Sequence, residues 1–301
     1  MHYIVTGGAG FIGSHLVEAL IGEGDEVTVL DNYSTGKKEN IHPKAIVKNI
    51  DIRSKDEVKP LFHGVDGIFH LAALPRVQLS IEDPVTTNEH NVTTTVSVLT
   101  AAHEAGVKRV VYSASSSAYG DVKTMPLKEN LPANPMSPYG LQKYIGEEYC
   151  KLFSQIYNLE TVCLRYFNVY GPKMADTGAY LTVIKVMLKQ HTNGEPLTIT
   201  GDGTQTRDFT HVRDVARANI LAMKSDKVGR GEAVNIGAGR GVSINTIAEL
   251  IGGEKKYIPA RLEPHDTLAD NRRAKELLNW EPQEKLEDAI EELKQGKAKM
   301  N

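Results

Sequence analysis

A doubly wound parallel α/β sheet with a smaller C-terminal α/β lobe is the fold class that this 301-residue chain predicts. Three observations predict it. Apolar, β-prone runs alternate with helical patterns through the first half, as βαβ units do. A glycine-rich turn joins the first run to the first helical pattern. Past Gly171-Pro172 the runs shorten, and glycine turns such as Gly201-Asp202-Gly203 and Gly237-Ala238-Gly239 separate them.

Taken in order, strands are expected at 2–6, 26–30, 45–50, 66–71, 109–114 and 160–166. Helices are expected between them at about 11–23, 54–61, 84–105 and 138–157. Right-handed crossovers then give a parallel sheet covered on both faces. Shorter strands follow at 197–200, 233–236 and 256–258. Val212–Asn219 and Asn235–Ala238 are segments that could return to the first sheet. The tail, 284–301, reads as a charged helix fading into a Lys-rich, solvated end.

The opening segment carries the first chemistry. Tyr3, Ile4 and Val5 lead into Gly7, Gly10 and Gly13, and Phe11, Ile12, Leu16, Val17 and Leu20 then repeat at helical spacing. Strand, tight turn and helix bring backbone N–H groups and a positive helix end toward a pyrophosphate. The next strand ends at Asp31-Asn32, where a carboxylate can accept both ribose hydroxyls and repel a 2′-phosphate. NAD is therefore expected over NADP. Residues 1–170 read as a Rossmann-type NAD-binding domain, with returns from about 212–238. Residues 171–301 read mainly as a substrate lobe.

Composition removes other classes. The net charge of -3 offers no polyanion-binding surface, so no nucleic acid is expected. No apolar run is long enough to cross a bilayer, so no membrane partner is expected. The N-terminus enters a strand directly, which argues against a secretion leader, and a cytoplasmic location is expected. Cys150 and Cys163 have no metal or redox spacing and read as buried small hydrophobes. No metal site is expected.

Further candidates fall at strand ends, the edge where open parallel sheets bind ligands. Asp51-Ile52 follows the third strand, and an acid there can bond an adenine amino group. His70-Leu71-Ala72-Ala73 closes the fourth; its small residues let a cofactor lie against backbone, and His70 reads as a core histidine. Ser115, Ser116 and Ser117 follow the fifth and can donate to a sugar oxygen. Ser137 is a fitting helix N-cap and Pro138 a fitting first residue. Tyr139 and Lys143 then share one helix face, four residues apart. A phenol of reference pKa ~10 is a poor base. A nearby ammonium and a positive nicotinamide both favour its phenolate.

Together these motifs resemble the extended short-chain dehydrogenase/reductase family, and within it the nucleotide-sugar 4-epimerases. The resemblance also covers Arg165-Tyr-Phe-Asn-Val-Tyr-Gly-Pro172, Gly201-Asp-Gly-Thr-Gln-Thr-Arg-Asp-Phe-Thr-His211 and Asn91-Val92, although a glycine usual nearby is Thr94 here. It implies Tyr139, Lys143 and Ser115 as catalytic residues. It implies Asn168 and Arg207 as contacts to a nucleotide diphosphate, with Arg261 beside them. Related 4,6-dehydratases carry Asp-Glu where this chain has Ser116-Ser117, so epimerisation is expected rather than dehydration. A pocket-wall residue falls on Thr267, before Leu268-Ala269-Asp270. A threonine there is small, which implies room for N-acetyl groups as well as for the plain hexoses of a UDP-glucose/UDP-galactose pair. A UDP-glucuronate 4-epimerase, or an enzyme for GDP- or dTDP-sugars, is the neighbouring alternative. A non-catalytic NAD(P)-binding protein is the remote one. The helices at 84–105 and 138–157 resemble those that pair in a homodimer.

Overall fold

The computed structural model describes residues 1–175, 182–260 and 264–296. The first half alternates strand and helix in the expected way. It runs β1 (His2–Thr6), α1 (Phe11–Gly22), β2 (Glu26–Asp31), β3 (Ile46–Asn49), α2 (Lys55–Val58), β4 (Gly67–His70), α3 (Val77–Glu82), α4 (Pro84–Asn88), α5 (Thr94–Ala105), β5 (Arg109–Ser115), α6 (Pro138–Tyr157) and β6 (Glu160–Tyr166). The second half runs α7 (Val183–Asn193), β7 (Leu197–Thr200), β8 (Thr206–Asp208), α8 (Val212–Lys224), β9 (Arg230–Ile236), β10 (Gly241–Ser243), α9 (Ile244–Ile251), β11 (Lys255–Ile258), α10 (Arg272–Leu278) and α11 (Leu286–Lys294).

Seven strands form one parallel sheet in the order β3-β2-β1-β4-β5-β6-β9. The order reverses between β1 and β4. The ends of those two strands diverge there and leave a crevice, the usual ligand position in such sheets. Alternate residues on each strand feed opposite faces. Ile4, Leu30, Ile68 and Val110 pack under α5 and α6, with Val98, Leu99 and Phe153. Val5, Val29, Phe69 and Val111 pack under α1 and α8, with Leu16, Leu20 and Val215.

Two C-terminal expectations resolve differently from each other. Asn235 and Ile236 do return to the sheet, in β9 beside β6. Val212–Asn219 returns as a helix and not as a strand: it forms most of α8, which packs beside α1 on one face of the same sheet. The smaller lobe holds an antiparallel β8/β10 pair and a parallel β7/β11 pair. Its core includes Ile184, Met187, Leu197, Ile247 and Ile251. Up to residue 296 the tail departs from a solvated terminus: Leu286, Ala289 and Ile290 of α11 are buried in that core, and the end expected at 297–301 lies outside the described residues. Three apolar positions on one helical face suffice to dock an otherwise charged segment.

The helix expected at 84–105 is interrupted. A π turn over Glu89–Thr93 links α4 to α5. Asn91 sits in that turn, buried, donating to Gln142 Oε1 at 2.8 Å and accepting from the Leu74 N–H at 2.8 Å. It thereby ties the α4–α5 segment to α6 and to the chain leaving β4.

Candidate active site

A cavity of about 610 Å³ opens over the crevice between β1 and β4. The glycine turn forms one wall. Gly7 has φ +71, and a Cβ there would stand 2.8 Å from the Ala72 nitrogen. A Cβ on Gly13 would stand 2.2 Å from the Gly7 carbonyl oxygen. Only hydrogen fits at either place, so the turn stays close to the backbone of residues 71–72. Gly10, Phe11 and Ile12 line the same wall.

Asp31 closes β2 with little exposed surface. Its carboxylate accepts the Ala9 N–H at 2.9 Å and the Tyr33 N–H at 2.8 Å. It is thus fixed against the glycine turn at the cavity wall, with Asn32 beside it. Asp51 and Ile52 line the far end, with Leu71, Ala72 and Ala73 along the floor. Arg53 forks onto Asp51, Nη2 to Oδ2 at 2.6 Å, and holds its carboxyl below the usual range. A narrow glycine cradle, a fixed acid at the ribose position and small floor residues fit an extended dinucleotide.

The catalytic candidates meet at the other end of this cavity. Ser137 caps α6 by accepting the Gly140 N–H at 3.1 Å, and Pro138 opens the helix. The Tyr139 N–H donates to Ser80 Oγ at 3.0 Å. Tyr139, Lys143, Ser115, Ser116 and Ser117 all line the cavity. Ser117 N–H donates to Ser115 Oγ at 3.1 Å, which turns the chain after β5 and points the hydroxyls inward. Protein surroundings raise the Tyr139 phenol above its ordinary value, and a hydrogen bond with Ser115 pulls it back. Burial brings the Lys143 ammonium down to about 8. Lys143 Nζ donates to the Ser113 carbonyl at 2.7 Å. The expected help from Lys143 to the phenolate is therefore not a contact of this geometry; Ser115 is the group that favours it.

The substrate candidates divide. Asn168 follows β6 with φ +30, a conformation that side chains rarely adopt, and lines the main cavity. It also lines a second cavity of about 320 Å³, together with Arg207, Phe209, Thr200 and Gln205. Thr267 lines neither; its Oγ1 accepts from Asn168 Nδ2 at 3.2 Å. The small hydroxyl expected at a pocket wall stands behind Asn168, because the 265–267 stretch is drawn onto β8. Arg261 lies outside the described residues.

His70 is a core residue, as its apolar setting implies. It bonds Thr6 Oγ1 at 2.8 Å and Thr95 Oγ1 at 3.2 Å, and burial brings its pKa down to about 3. Cys150 and Cys163 are free and buried. Among the described residues, no group of three His, Cys, Asp or Glu is placed to hold a metal, and no helix is long and apolar enough to cross a membrane.

Some supporting residues escape a sequence reading. Ser80 acts through a bond to backbone formed only on folding, and the amide bond by which Asn91 holds Gln142, though the resemblance covers Asn91-Val92, is likewise visible only in the fold. Glu147 did carry a signal: it lies four residues after Lys143 on the same helix. It pairs with Arg165, Oε2 to Nη2 at 2.6 Å, both nearly inaccessible. The Arg165 guanidinium stacks 4.7 Å from the Tyr119 ring centre.

Comparison with known proteins places this geometry. Residues 3–237 match the model of the NAD dependent epimerase/dehydratase family. The chain belongs to that family. A curated relative from Methanocaldococcus jannaschii, a putative UDP-glucose 4-epimerase, is 41% identical over 296 residues, with 95% of each chain covered. The UDP-glucose 4-epimerase of Thermotoga maritima, solved with UDP-glucose, superposes with a TM-score of 0.91 at 38% identity, covering 96% of each chain. The UDP-N-acetylglucosamine 4-epimerase of Methanobrevibacter ruminantium, solved with UDP-N-acetylmuramic acid, gives 0.92 at 36%, covering 98% of this chain and 97% of that one.

Proposed function

We propose that this protein is an NAD-dependent nucleotide-sugar 4-epimerase that interconverts UDP-glucose and UDP-galactose. The observation that carries the reading is the meeting of Tyr139, Ser115 and Lys143 in the cavity that the glycine turn and Asp31 line. The matching family and the UDP-sugar epimerases among its relatives support it.

The residues that would hold NAD are Gly7, Gly10 and Gly13 at the pyrophosphate and Asp31 at the adenosine ribose. Asp51 and Ile52 would meet the adenine. When bound, NAD supplies reversible hydride acceptance at the sugar C4. Tyr139 takes the proton of the sugar 4-hydroxyl and later returns it, with Ser115 holding the 4-oxygen. Lys143 supplies positive charge beneath the same end of the cavity. Asn168 and Arg207 hold the diphosphate and direct the nucleotide into the second cavity. The 4-keto sugar can then turn over while its diphosphate stays fixed, and each face of C4 is presented in turn.

Ser116 and Ser117 offer no carboxyl group to expel water from C5 and C6, which favours epimerisation over dehydration. Thr267 stands behind Asn168 and adds no bulk to the cavity, so the reading includes the UDP-GlcNAc/UDP-GalNAc pair. Assaying purified protein on both pairs tests this; turnover of the plain pair alone would remove the extension.

The reading includes a homodimer and a cytoplasmic setting. On α6, Leu141, Leu152 and Ile156 are exposed at helical spacing, an apolar stripe suited to a second copy. The two buried thiols suit a reducing compartment. Sedimentation of wild type against Leu152→Glu tests the dimer: the variant should sediment as a monomer, and a wild-type monomer would contradict it.

A further inference from the structure

The smaller lobe contains a carboxylate that touches neither cavity yet joins the segments that shape the second one. Asp208, the last residue of β8, has no exposed surface. Its Oδ1 accepts the Ala238 N–H at 2.7 Å. Its Oδ2 accepts the Gly239 N–H at 3.0 Å and the Ala269 N–H at 3.0 Å. These donors come from two separate stretches: the turn that leaves β9 at the sheet edge, and the 265–270 segment.

The residues before Asp208 hold the same segment. Thr206 Oγ1 donates to Asp266 Oδ1 at 2.6 Å, and the Thr267 N–H donates to the Thr206 carbonyl at 3.2 Å. Arg207 Nη1 donates to the His265 carbonyl at 2.9 Å. Asn168 Nδ2 bridges the Asp208 carbonyl and Thr267 Oγ1, each at 3.2 Å. Asn168 keeps its positive φ only while its surroundings hold it. Both side chains assigned to the diphosphate are therefore oriented by the 265–270 segment. Asp208 is the one residue of β8 that also fastens this segment to the turn at the sheet edge.

We infer that Asp208 is a positioning residue for nucleotide-diphosphate binding: its carboxylate clamps the 265–270 segment to the 237–239 turn and so sets Asn168 and Arg207. The inference rests on the proposed UDP-sugar reading. Packing leaves no slack in the clamp. A Cβ on Gly237 would lie 2.3 Å from the Ala269 Cβ and 2.9 Å from Asp208 Oδ2.

The test is Asp208→Asn, which keeps the shape but turns one acceptor into a donor facing an N–H. Calorimetric titration with UDP should show Kd raised by about tenfold, the effect of losing one hydrogen bond to a charged acceptor. KM for the UDP-sugar should rise in parallel, while kcat per NAD-bearing site stays within about threefold of wild type. A merely structural role would lower the folded fraction and leave the Kd of the folded sites unchanged, and that result overturns the inference. Should Asp208→Asn not fold, Gly237→Ala presses on the same clamp without removing the charge. A raised UDP Kd there supports the inference, and a wild-type Kd in folded Gly237→Ala overturns it. Wild-type protein that binds no UDP would instead sink the proposed function.

Discussion

The Lys143 ammonium donates to the Ser113 carbonyl at 2.7 Å, one helical turn along from the Tyr139 phenol on the same helix. Lysine and tyrosine share a cavity without sharing a proton. Ser115 is the group that lowers the phenol, against the burial that raises it. The base is therefore tuned by burial, which raises the phenol, and by a strand-end hydroxyl, which lowers it.

Ser115→Ala should lower kcat by about a hundredfold, the lower range for a positioned proton-transfer partner. KM should change little, because the hydroxyl is assigned to the reacting oxygen and not to the diphosphate. Steady-state kinetics on UDP-galactose measures both. A loss in KM alone would contradict the assignment.

Lys143 gives a pH dependence whose sign can be worked out. Its ordinary value of 10.5 falls to about 8 in the folded, cofactor-free chain because burial disfavours the ammonium. Between about 8 and 10.5 the unfolded chain binds more protons than the folded one, so stability rises with pH through that window. Below it the folded chain bears a constant cost for the buried ammonium. Wild type should therefore gain on Lys143→Met as pH rises through the window. Urea melts of both proteins across that range check this.

Gly13→Ala should abolish retention of NAD while the protein still folds. The added methyl meets the Gly7 carbonyl at 2.2 Å, and the turn must open to admit it. The absorbance ratio of purified protein reads cofactor content. Full NAD content in Gly13→Ala would show that the turn is not the cradle.

Removing one partner of the buried Glu147–Arg165 pair should cost roughly 3–5 kcal/mol, since an uncompensated charge is left behind α6. Glu147→Ala should thus unfold at markedly lower urea than wild type. A change within error would mean that water reaches Arg165.

The sheet was legible because its inner strands are buried on both faces and read as apolar runs. Ile4 and Val5 announce β1 whichever face each serves. The cofactor wall was legible for a different reason: the glycines at 10 and 13 face the Gly7 carbonyl within the same turn, and Gly7 sits at a positive φ that glycine adopts most readily. The smaller lobe was harder. β8 and β10 are three residues each, too short to show alternation, and their register comes from pairing with distant chain. Thr267 illustrates the limit. Its identity suggested a pocket wall, but its place is set by Thr206 and Asn168, far off in sequence. The π turn at Glu89–Thr93 left no local mark either; it follows from Asn91 bonding Leu74 and Gln142.

The most direct test of the central claim is to incubate purified protein with UDP-galactose, without added NAD, and follow UDP-glucose by chromatography. Interconversion by the wild type, with Tyr139→Phe at least about a thousandfold slower, is the result expected of a proton-transferring phenol. Interconversion by Tyr139→Phe at the wild-type rate would contradict it.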